Sequence, residues 1–250
     1  NNISAIIIAR DEEDRIADCL DSVSFCDEVI VVDNASSDRT SQIAQRMGAK
    51  VVNADFHDFS ELRNLGLKKA SGKLVLYIDA DERIDPVLKK NIENIARVAD
   101  GASIYRVIRK NFYLGNHEWP KTEKMERLFR RDDLKGWKGK LHESPIIFGR
   151  SAELDGFLLH YTHRNLSQML KKTIEWSKVE AELRYNAGHP RMSWWRFPRV
   201  MAGTFLNYYI VQGGYRIGTA GLVESMYQAF SIFTTYARLW ELQNSGPKDH

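Results

Sequence analysis

The first eighty residues alternate between short runs of β-branched residues and longer stretches in which apolar residues recur at helical spacing. The short runs predict buried strands, and the longer stretches predict helices with one polar face. The predicted strands are 3–9, 28–33, 50–53 and 74–78, and the predicted helices are 12–23, 36–47, 59–70 and 85–99. Repeated strand–helix units indicate an α/β fold with a mostly parallel sheet and helices on both faces.

Several helix ends are marked by residues with capping chemistry. Ser36 or Ser37 is predicted to cap the second helix, and Gly48 is placed to end it. Asp85 followed by Pro86 predicts an N-cap with a proline in the first turn of the next helix.

The pattern changes twice further along the chain. Residues 103–149 contain shorter strand-like runs broken by basic and aromatic residues, which predicts the rest of a mixed sheet. Beyond His160, helical spacing returns in three long stretches, 166–185, 194–212 and 219–242. We therefore predict a sheet domain at 1–160 and a helical region at 161–250.

Charge is distributed unevenly. The net charge of +3 is too small to predict a nucleic-acid partner, and 43% hydrophobic with 28% charged residues is typical of a globular protein. Residues 161–250 carry eleven Lys and Arg against six Asp and Glu, so the basic excess belongs to the helical region. The two cysteines, Cys19 and Cys26, are expected to be reduced core thiols, which fits a reducing compartment.

No secretory signal pattern opens the sequence. The longest charge-free stretch, 200–215, contains Asn207, Gln212 and two glycines and is shorter than the roughly 18 to 20 apolar residues of a spanning helix. We expect no membrane-spanning segment.

The helical region is nevertheless rich in aromatic residues. Residues 194–199 read Trp-Trp-Arg-Phe-Pro-Arg, a mixture found in segments that lie among lipid headgroups. Further aromatic residues are Phe205, Tyr208, Tyr209, Tyr215, Tyr227, Phe230, Phe233 and Tyr236. Two interpretations are open. The rings pack between helices, or they contact a membrane surface, which the positive charge favours.

Two aspartates each end a predicted strand. Ligands of such sheets bind beyond the carboxyl ends of the strands, so Asp33 and Asp79 should face one crevice. Asp79-Ala80-Asp81 is the only Asp-x-Asp in the sequence, and two hard carboxylates can converge on a divalent cation that bridges diphosphate oxygens. The structural alternative is a turn in which Asp side chains bond to the backbone.

Four motifs occur in a fixed order. They are Ala5-Ile-Ile-Ile-Ala-Arg-Asp-Glu-Glu, Val31-Val-Asp-Asn-Ala-Ser-Ser-Asp, Arg63-Asn-Leu-Gly and Asp79-Ala-Asp-Glu. Through them the first 150 or so residues resemble family 2 glycosyltransferases of the GT-A fold. The resemblance implies a Rossmann-like GT-A domain with a mixed sheet, a nucleotide diphosphate sugar donor, inversion at the anomeric carbon, and Mn²⁺ or Mg²⁺ as cofactor.

The resemblance also implies roles for residues of the donor site. Asp33 would contact the nucleotide base, while Asp79 and Asp81 would hold ribose, diphosphate and metal. The predicted donor-site residues are Ala9, Asp11, Glu13, Asp33, Arg63, Asp79, Ala80 and Asp81. Asp11 stands where family members often carry asparagine, and its carboxylate would repel diphosphate unless screened or turned away. Arg63 offers a planar fork to phosphate or lies on a solvated helix face.

An inverting transfer needs a base for the proton of the acceptor hydroxyl. Residues 136–145, Gly-Trp-Lys-Gly-Lys-Leu-His-Glu-Ser-Pro, resemble the acceptor-side motif of a subset of the family, and Glu143 is the predicted base. His142 is either a metal or phosphate ligand or a hydrogen-bonded structural residue, and His160 is a second candidate metal ligand.

Basic residues precede the predicted base. Arg127, Arg130, Arg131, Lys135, Lys138 and Lys140 form either a solvated face or a site for an anionic acceptor. The predicted acceptor-binding residues are Trp137, Lys138, Lys140 and Arg130. The Trp137 ring could stack on a sugar or pack in the core.

The resemblance narrows in the second half of the chain. Leu141-His-Glu-Ser-Pro, the His160-Tyr-Thr-His run and residues 213–222 are similar to bacterial lipopolysaccharide-core β-1,4-glucosyltransferases. This implies UDP-glucose as donor, a phosphorylated lipid-linked inner-core acceptor, and a peripheral location at the cytoplasmic face of the inner membrane. A non-catalytic, membrane-associated sugar- or nucleotide-binding module that keeps the GT-A fold is the alternative, although a pure binder would have no need of Glu143 as a base.

Overall fold

The computed structural model of the chain describes residues 2–56, 58–98, 101–139, 143–162 and 165–244. The chain divides into two units. The first contains residues 1–110 and 122–160, and the second contains 111–121 and 161–250. The short segment 111–121 therefore belongs with the helical residues that follow His160.

A mixed sheet forms the centre of the first unit. The strands of the described residues are β1 (Ile3–Ala9), β2 (Glu28–Asn34), β3 (Lys50–Ala54), β4 (Leu74–Asp79), β5 (Glu82–Ile84), β6 (Ile104–Tyr113), β7 (His117–Glu118), β8 (Glu123–Arg130), β9 (Leu134–Lys138), β10 (Ser144–Ile147) and β11 (Ser151–Tyr161). The sheet order is β3, β2, β1, β4, β8, β6, β11 and β5, while β9 and β10 form a separate antiparallel pair.

Parallel pairing joins β3, β2, β1 and β4, which come from the repeated strand–helix units. The strand β8 then pairs antiparallel with both β4 and β6 and continues the sheet. Short β5, which the sequence pattern did not predict, pairs antiparallel with β11. The sequence thus predicted the parallel part from local repeats, whereas the antiparallel part depends on pairing between distant segments.

Helices cover both faces of this sheet. They are α1 (Ile16–Ser22), α2 (Thr40–Arg46), α3 (Phe59–Lys69) and α4 (Pro86–Arg97). Buried residues of α1, α2 and α4 pack with Ile7 of β1 in one core cluster. Leu62 of α3 packs with the neighbouring Ile6 in a second cluster. Alternate residues of one strand therefore serve two cores, as expected of a sheet buried on both sides.

The predicted helix ends are confirmed in part. The Asp85 side chain accepts a hydrogen bond from the Leu88 N–H at 2.7 Å, and Gly48 has a φ of 85° after α2. The predicted serine cap of α2 is wrong, because α2 begins at Thr40 after Arg39 and has no side-chain cap. The Ser36 hydroxyl instead donates to Asp33 at the end of β2, and the Ser37 hydroxyl donates to Asp11 on the loop after β1.

The second unit consists mainly of helices. They are α5 (Leu166–Asn186), α6 (Arg196–Leu206) and α7 (Gly218–Asn244), with a π-helical turn at Asn207–Val211 and a 3₁₀ turn at Gly214–Ile217. Trp119 is buried in this unit, and its Nε1 donates to Gln212 Oε1 at 3.0 Å. Within the described ranges, no helix combines the length and apolarity needed to span a bilayer.

Candidate functional site

The predicted donor-site residues converge at one edge of the sheet in the first unit. Ala9 at the end of β1 lies opposite Asp33 of β2, and the neighbouring Ile8 lies opposite Asp79 of β4. The carboxyl ends of three adjacent parallel strands therefore coincide. Ala80, between the two aspartates of the Asp-x-Asp, is buried.

The Asp33 carboxylate is nearly fully buried and already hydrogen-bonded. Its Oδ1 accepts from the Ser36 hydroxyl, and its Oδ2 accepts from the Ser41 hydroxyl. These bonds fix the carboxylate at the end of β2, where the resemblance places the nucleotide base.

Asp11 and Glu13 lie on the loop after β1. Asp11 has a φ of 53°, and its Oδ1 accepts from the Ser37 N–H at 2.7 Å and from the Ser37 hydroxyl at 3.0 Å. Glu13 Oε2 accepts from Arg39 Nε at 3.0 Å. Hydrogen-bond donors of the loop after β2 therefore bind both carboxylates. This explains how the chain accommodates a carboxylate at Asp11, where family members often carry asparagine.

Two arginines hold Asp79. Arg63 Nη2 lies 3.4 Å from Asp79 Oδ1, and Arg127 Nη2 lies 3.0 Å from Asp79 Oδ2. Arg127 Nη2 also contacts Glu82 Oε1 at 2.6 Å, and Glu82 Oε2 accepts from the Asp79 N–H at 3.0 Å. Arg127 is 3% exposed and Glu82 is fully buried, so this ion pair is shielded from water, whereas the Asp79 side chain is 33% exposed.

These contacts control the ionisation of Asp79. Burial raises the pKa of the Asp79 carboxyl, but the Arg127 and Arg63 cations outweigh burial, and the net pKa lies below its ordinary value. Burial likewise opposes the charge of Arg127, yet the Glu82 and Asp79 carboxylates keep the Arg127 pKa above its ordinary value. Asp79 is therefore an ionised carboxylate with both oxygens engaged by guanidinium groups.

Asp81 points to a different set of partners. Its Oδ2 lies 3.2 Å from His160 Nε2 and 3.6 Å from Arg15 Nη1. His160 of β11 lies near Asp81 because β11 pairs with β5, and this pairing places His160 opposite Glu82. The structure places the two predicted metal ligands Asp81 and His160 together, whereas His142 lies outside the described residues. No cluster of three or more His, Cys, Asp or Glu suited to a metal occurs in the described parts of the chain.

The predicted base lies against Arg63. Arg63 Nε and Nη2 each lie 2.8 Å from Glu143 Oε1. Arg63 is 5% exposed, so it does not lie on a solvated helix face. It faces two carboxylates, Asp79 and Glu143, which no spacing in the sequence could indicate because the three residues lie far apart along the chain.

Trp137 is a core residue. It is 7% exposed, and its ring makes edge contacts with Tyr77 at a centroid distance of 4.9 Å and with Phe129 at 5.5 Å. The Arg63 guanidinium lies 4.8 Å from the same ring. These contacts favour core packing over stacking on a sugar. Lys138 is exposed at the end of β9, and Lys140 lies outside the described residues.

Arg130 is not brought to the site. It lies opposite Leu74 at the start of β4, whereas Asp79 ends that strand, and five residues of strand span roughly 16 Å. Its Nε lies 3.8 Å from Asp133 Oδ2. The acceptor role of Arg130 stays a prediction. Among the described residues of the basic run, Arg127 reaches Asp79, whereas Arg130 lies at the other end of β4.

Sequence reasoning assigned no role to three charged residues of the site, Arg15, Glu82 and Arg109. It named Arg127 only as part of the basic run and did not predict its contacts with Asp79 and Glu82. Glu82 was within reach, because it completes the Asp79-Ala-Asp-Glu motif. Arg127 carries a weaker signal: a cation directly before the apolar pair Leu128-Phe129, inside a strand-like run.

The chain belongs to the family described as Glycosyl transferase family 2, whose match covers residues 4–156. It is a glycosyltransferase, and the predicted fold, a GT-A mixed sheet with helices on both faces and a C-terminal helical region, is confirmed.

Among named relatives, it is 25% identical to the lipopolysaccharide core biosynthesis glycosyltransferase LpsC of Rhizobium meliloti over 96% of this chain and 92% of that protein. An uncharacterised glycosyltransferase of Rickettsia typhi is 29% identical over 96% of this chain and 87% of its own length. Among solved structures, S. aureus TarS in complex with UDP is 15% identical, with a TM-score of 0.46 over 100% of this chain and 93% of that chain.

Proposed function

We propose that this family 2 glycosyltransferase transfers a hexose, glucose from UDP-glucose, with inversion onto a lipid-linked saccharide of the lipopolysaccharide inner-core type. The observation that carries the proposal is that Glu143, the candidate base, and the strand-end aspartate Asp79 both contact Arg63. The similarity to the core biosynthesis enzyme of Rhizobium meliloti, which extends over nearly the whole chain, supports the class of acceptor.

In this proposal, separate residues bind the donor and activate the acceptor. Asp33 binds the nucleotide base, and the ordered loops of Asp11 and Glu13 form the wall of that pocket. Asp79 and Asp81 border the ribose and diphosphate. Glu143 removes the proton from the acceptor hydroxyl, for which a carboxylate with an accessible oxygen is suited.

The residues fit a divalent cation at Asp81. A carboxylate oxygen and an imidazole nitrogen, Asp81 Oδ2 and His160 Nε2, lie 3.2 Å apart, and a mixed oxygen and nitrogen set suits Mn²⁺ better than Mg²⁺. The contacts favour Asp81 over Asp79 as the ligand, because Asp79 already faces two cations. When bound, the metal would neutralise charge on the diphosphate leaving group.

The second unit is proposed to lie at the cytoplasmic face of the inner membrane. Between residues 187 and 223 the sequence has four arginines and no Asp or Glu. The same segment exposes Trp194 by 83% and Val211 by 75%. Exposed apolar and aromatic side chains among arginines fit an anionic lipid surface, where the acceptor would be anchored.

The donor site is tested by thermal shift with UDP, GDP, dTDP and ADP, each with and without Mn²⁺. Ligand at about 100 times its Kd stabilises by about 2.7 kcal/mol. We expect a UDP shift that requires Mn²⁺ and is lost in Asp81→Asn but kept in Asp132→Asn, whose side chain is 85% exposed. Absence of a shift with every nucleotide would contradict the proposed donor.

The base is tested by Glu143→Gln, which removes the proton acceptor and keeps the size of the side chain. We expect UDP release from UDP-glucose with rough-type lipopolysaccharide to fall about 10²-fold or more, with UDP binding retained. The control is Glu61→Gln on the exposed face of α3. Equal turnover in wild type and Glu143→Gln would exclude Glu143 as the base, and no turnover in the wild type would favour a non-catalytic binding module.

A further inference from the structure

Arg63 on α3 contacts both sides of the proposed site with one planar group. Its Nε and Nη2 each lie 2.8 Å from Glu143 Oε1, and its Nη2 lies 3.4 Å from Asp79 Oδ1. A guanidinium presents donors in a rigid fork, so two carboxylates bound to it are held in a fixed mutual arrangement.

The guanidinium itself is held in place. It lies 4.8 Å from the Trp137 ring and 5.4 Å from the Tyr77 ring, and the Tyr77 hydroxyl donates to the Arg63 carbonyl oxygen at 3.2 Å. The side chain is almost completely buried. Its orientation is therefore set by the surrounding protein before any ligand binds.

The next residue of α3 fixes the strand that leads to the base. Asn64 Nδ2 donates to the Trp137 carbonyl oxygen at 3.0 Å, and Asn64 Oδ1 accepts from the Trp137 N–H at 2.8 Å. Glu143 directly precedes β10, which pairs with β9 from Ser144 opposite Lys138. Arg63 and Asn64 thus hold the hairpin strand and the carboxylate from one helix.

Arg63 engages only one oxygen of the base. Both of its contacts are to Glu143 Oε1, and within the described residues Oε2 has no hydrogen-bond or ion-pair partner. We propose that Arg63 is a positioning residue that anchors Glu143 through Oε1 at a fixed place relative to Asp79, which leaves Oε2 to accept the acceptor's proton. This inference rests on the proposed function.

The step balances as follows. The acceptor hydroxyl oxygen forms a bond to the anomeric carbon as its proton passes to Glu143 Oε2. The bond between the anomeric carbon and the UDP oxygen breaks, and its electron pair leaves with UDP. Arg63 touches neither the proton nor the anomeric carbon in this arrangement, so it acts through Glu143.

A direct role in donor binding is the competing explanation. Arg63 Nη1 is buried and has no partner among the described residues, so it could donate to a diphosphate oxygen. A donor-binding role predicts weaker UDP binding and a higher KM for UDP-glucose when Arg63 is changed. A positioning role predicts a lower kcat, because only the reaction step needs the base.

The test is a double-mutant cycle of Arg63→Gln and Glu143→Gln. For each protein, kcat and KM are measured with UDP-glucose and rough-type lipopolysaccharide, and the Kd of UDP is measured with Mn²⁺. We expect Arg63→Gln to lower kcat by about 10-fold or more with UDP affinity within about twofold, and the double variant to be no slower than Glu143→Gln. Arg63→Lys, which keeps the charge without the fork, should recover part of kcat. Arg106→Gln, which breaks an exposed ion pair with Glu126, is the control.

The inference would be overturned if the fold-decrease in kcat of the double variant equalled the product of the two single decreases, because Arg63 would then act independently of Glu143. A main effect on UDP affinity would overturn it in favour of donor binding. If Arg63→Gln does not fold, the same cycle with Arg63→Lys decides. Failure of the proposed base is seen separately, as unchanged turnover in Glu143→Gln alone, and it would remove the inference as well.

Discussion

The first unit buries charged side chains, whereas the second unit exposes large apolar side chains. In the first unit, Arg63, Glu82 and Arg127 are each at most 5% exposed and lie around the strand-end aspartates. In the second unit, large apolar side chains face outward: of the twenty-four that are exposed in the described residues, eighteen lie there. Buried charge marks a site built to hold polar groups rigidly, and exposed apolar surface marks a site of contact.

The largest effect is expected where the first unit buries charge. Arg127→Met should destabilise the protein by about 3–5 kcal/mol, because it leaves the buried Glu82 carboxylate and the neighbouring Asp79 carboxylate without their shared cation. Arg106→Met breaks the exposed pair with Glu126 and should cost about 1 kcal/mol or less. Urea unfolding of both variants measures the difference. Equal losses would show that burial of the network carries no energetic weight.

The features of the fold that the sequence could predict are those marked by local signals. The apolar runs before Asp33 and Asp79 and the Asp85-Pro86 cap are local signals, so the parallel strands and the edge that holds the site followed from them. Local signals failed at Ser37, which was predicted as a possible cap of α2 but bonds through its hydroxyl to Asp11 on the loop after β1. Its choice of partner depends on how two loops meet in space.

The acceptor side was harder to predict for a physical reason. Arg127 and Arg130 are three residues apart, yet strand geometry separates neighbouring side chains by about 3.3 Å per residue and alternates their faces. Only the register of β8 against β4 decides that Arg127 reaches Asp79 and that Arg130 lies beside the start of β4. The sequence around Arg127 and Arg130 does not indicate this register, because it depends on pairing between segments that are distant along the chain.

A smaller effect is expected at the apolar surface of the second unit. Trp194→Ser combined with Val211→Ser should weaken binding to vesicles that contain anionic lipid by about tenfold or more, since burying a large apolar side chain contributes about 1.5–3 kcal/mol. The matched control is Phe148→Ser in the first unit, where the side chain is 86% exposed. Vesicle co-sedimentation measures the change. If Phe148→Ser weakens binding as much, or neither variant does, the comparison between the two surfaces fails.

The smallest effect concerns a charge that the first unit places near its surface. Asp27 Oδ2 accepts from the Asn2 N–H at 2.9 Å and the Ile3 N–H at 3.0 Å, and these backbone hydrogen bonds lower the pKa of the Asp27 carboxyl. A carboxyl with a folded-state pKa below its unfolded value of about 3.9 stabilises the fold above that pH, and the stabilisation disappears as the pH falls through the folded-state pKa.

Asp27→Asn should therefore cost about 1 kcal/mol or less at pH 7, and the difference from wild type should shrink as the pH falls and the Asp27 carboxylate becomes protonated. Asp132→Asn removes the charge of another exposed carboxylate, which accepts no backbone hydrogen bond within the described parts of the chain, and it should change the free energy of unfolding little at any of these pH values. Urea unfolding at several pH values separates the two. If the loss of stability in Asp27→Asn is the same at every pH, it comes from altered packing of the Asn side chain and not from the lost charge. Hydrogen bonds to a carboxylate would then contribute to stability only where the first unit buries them.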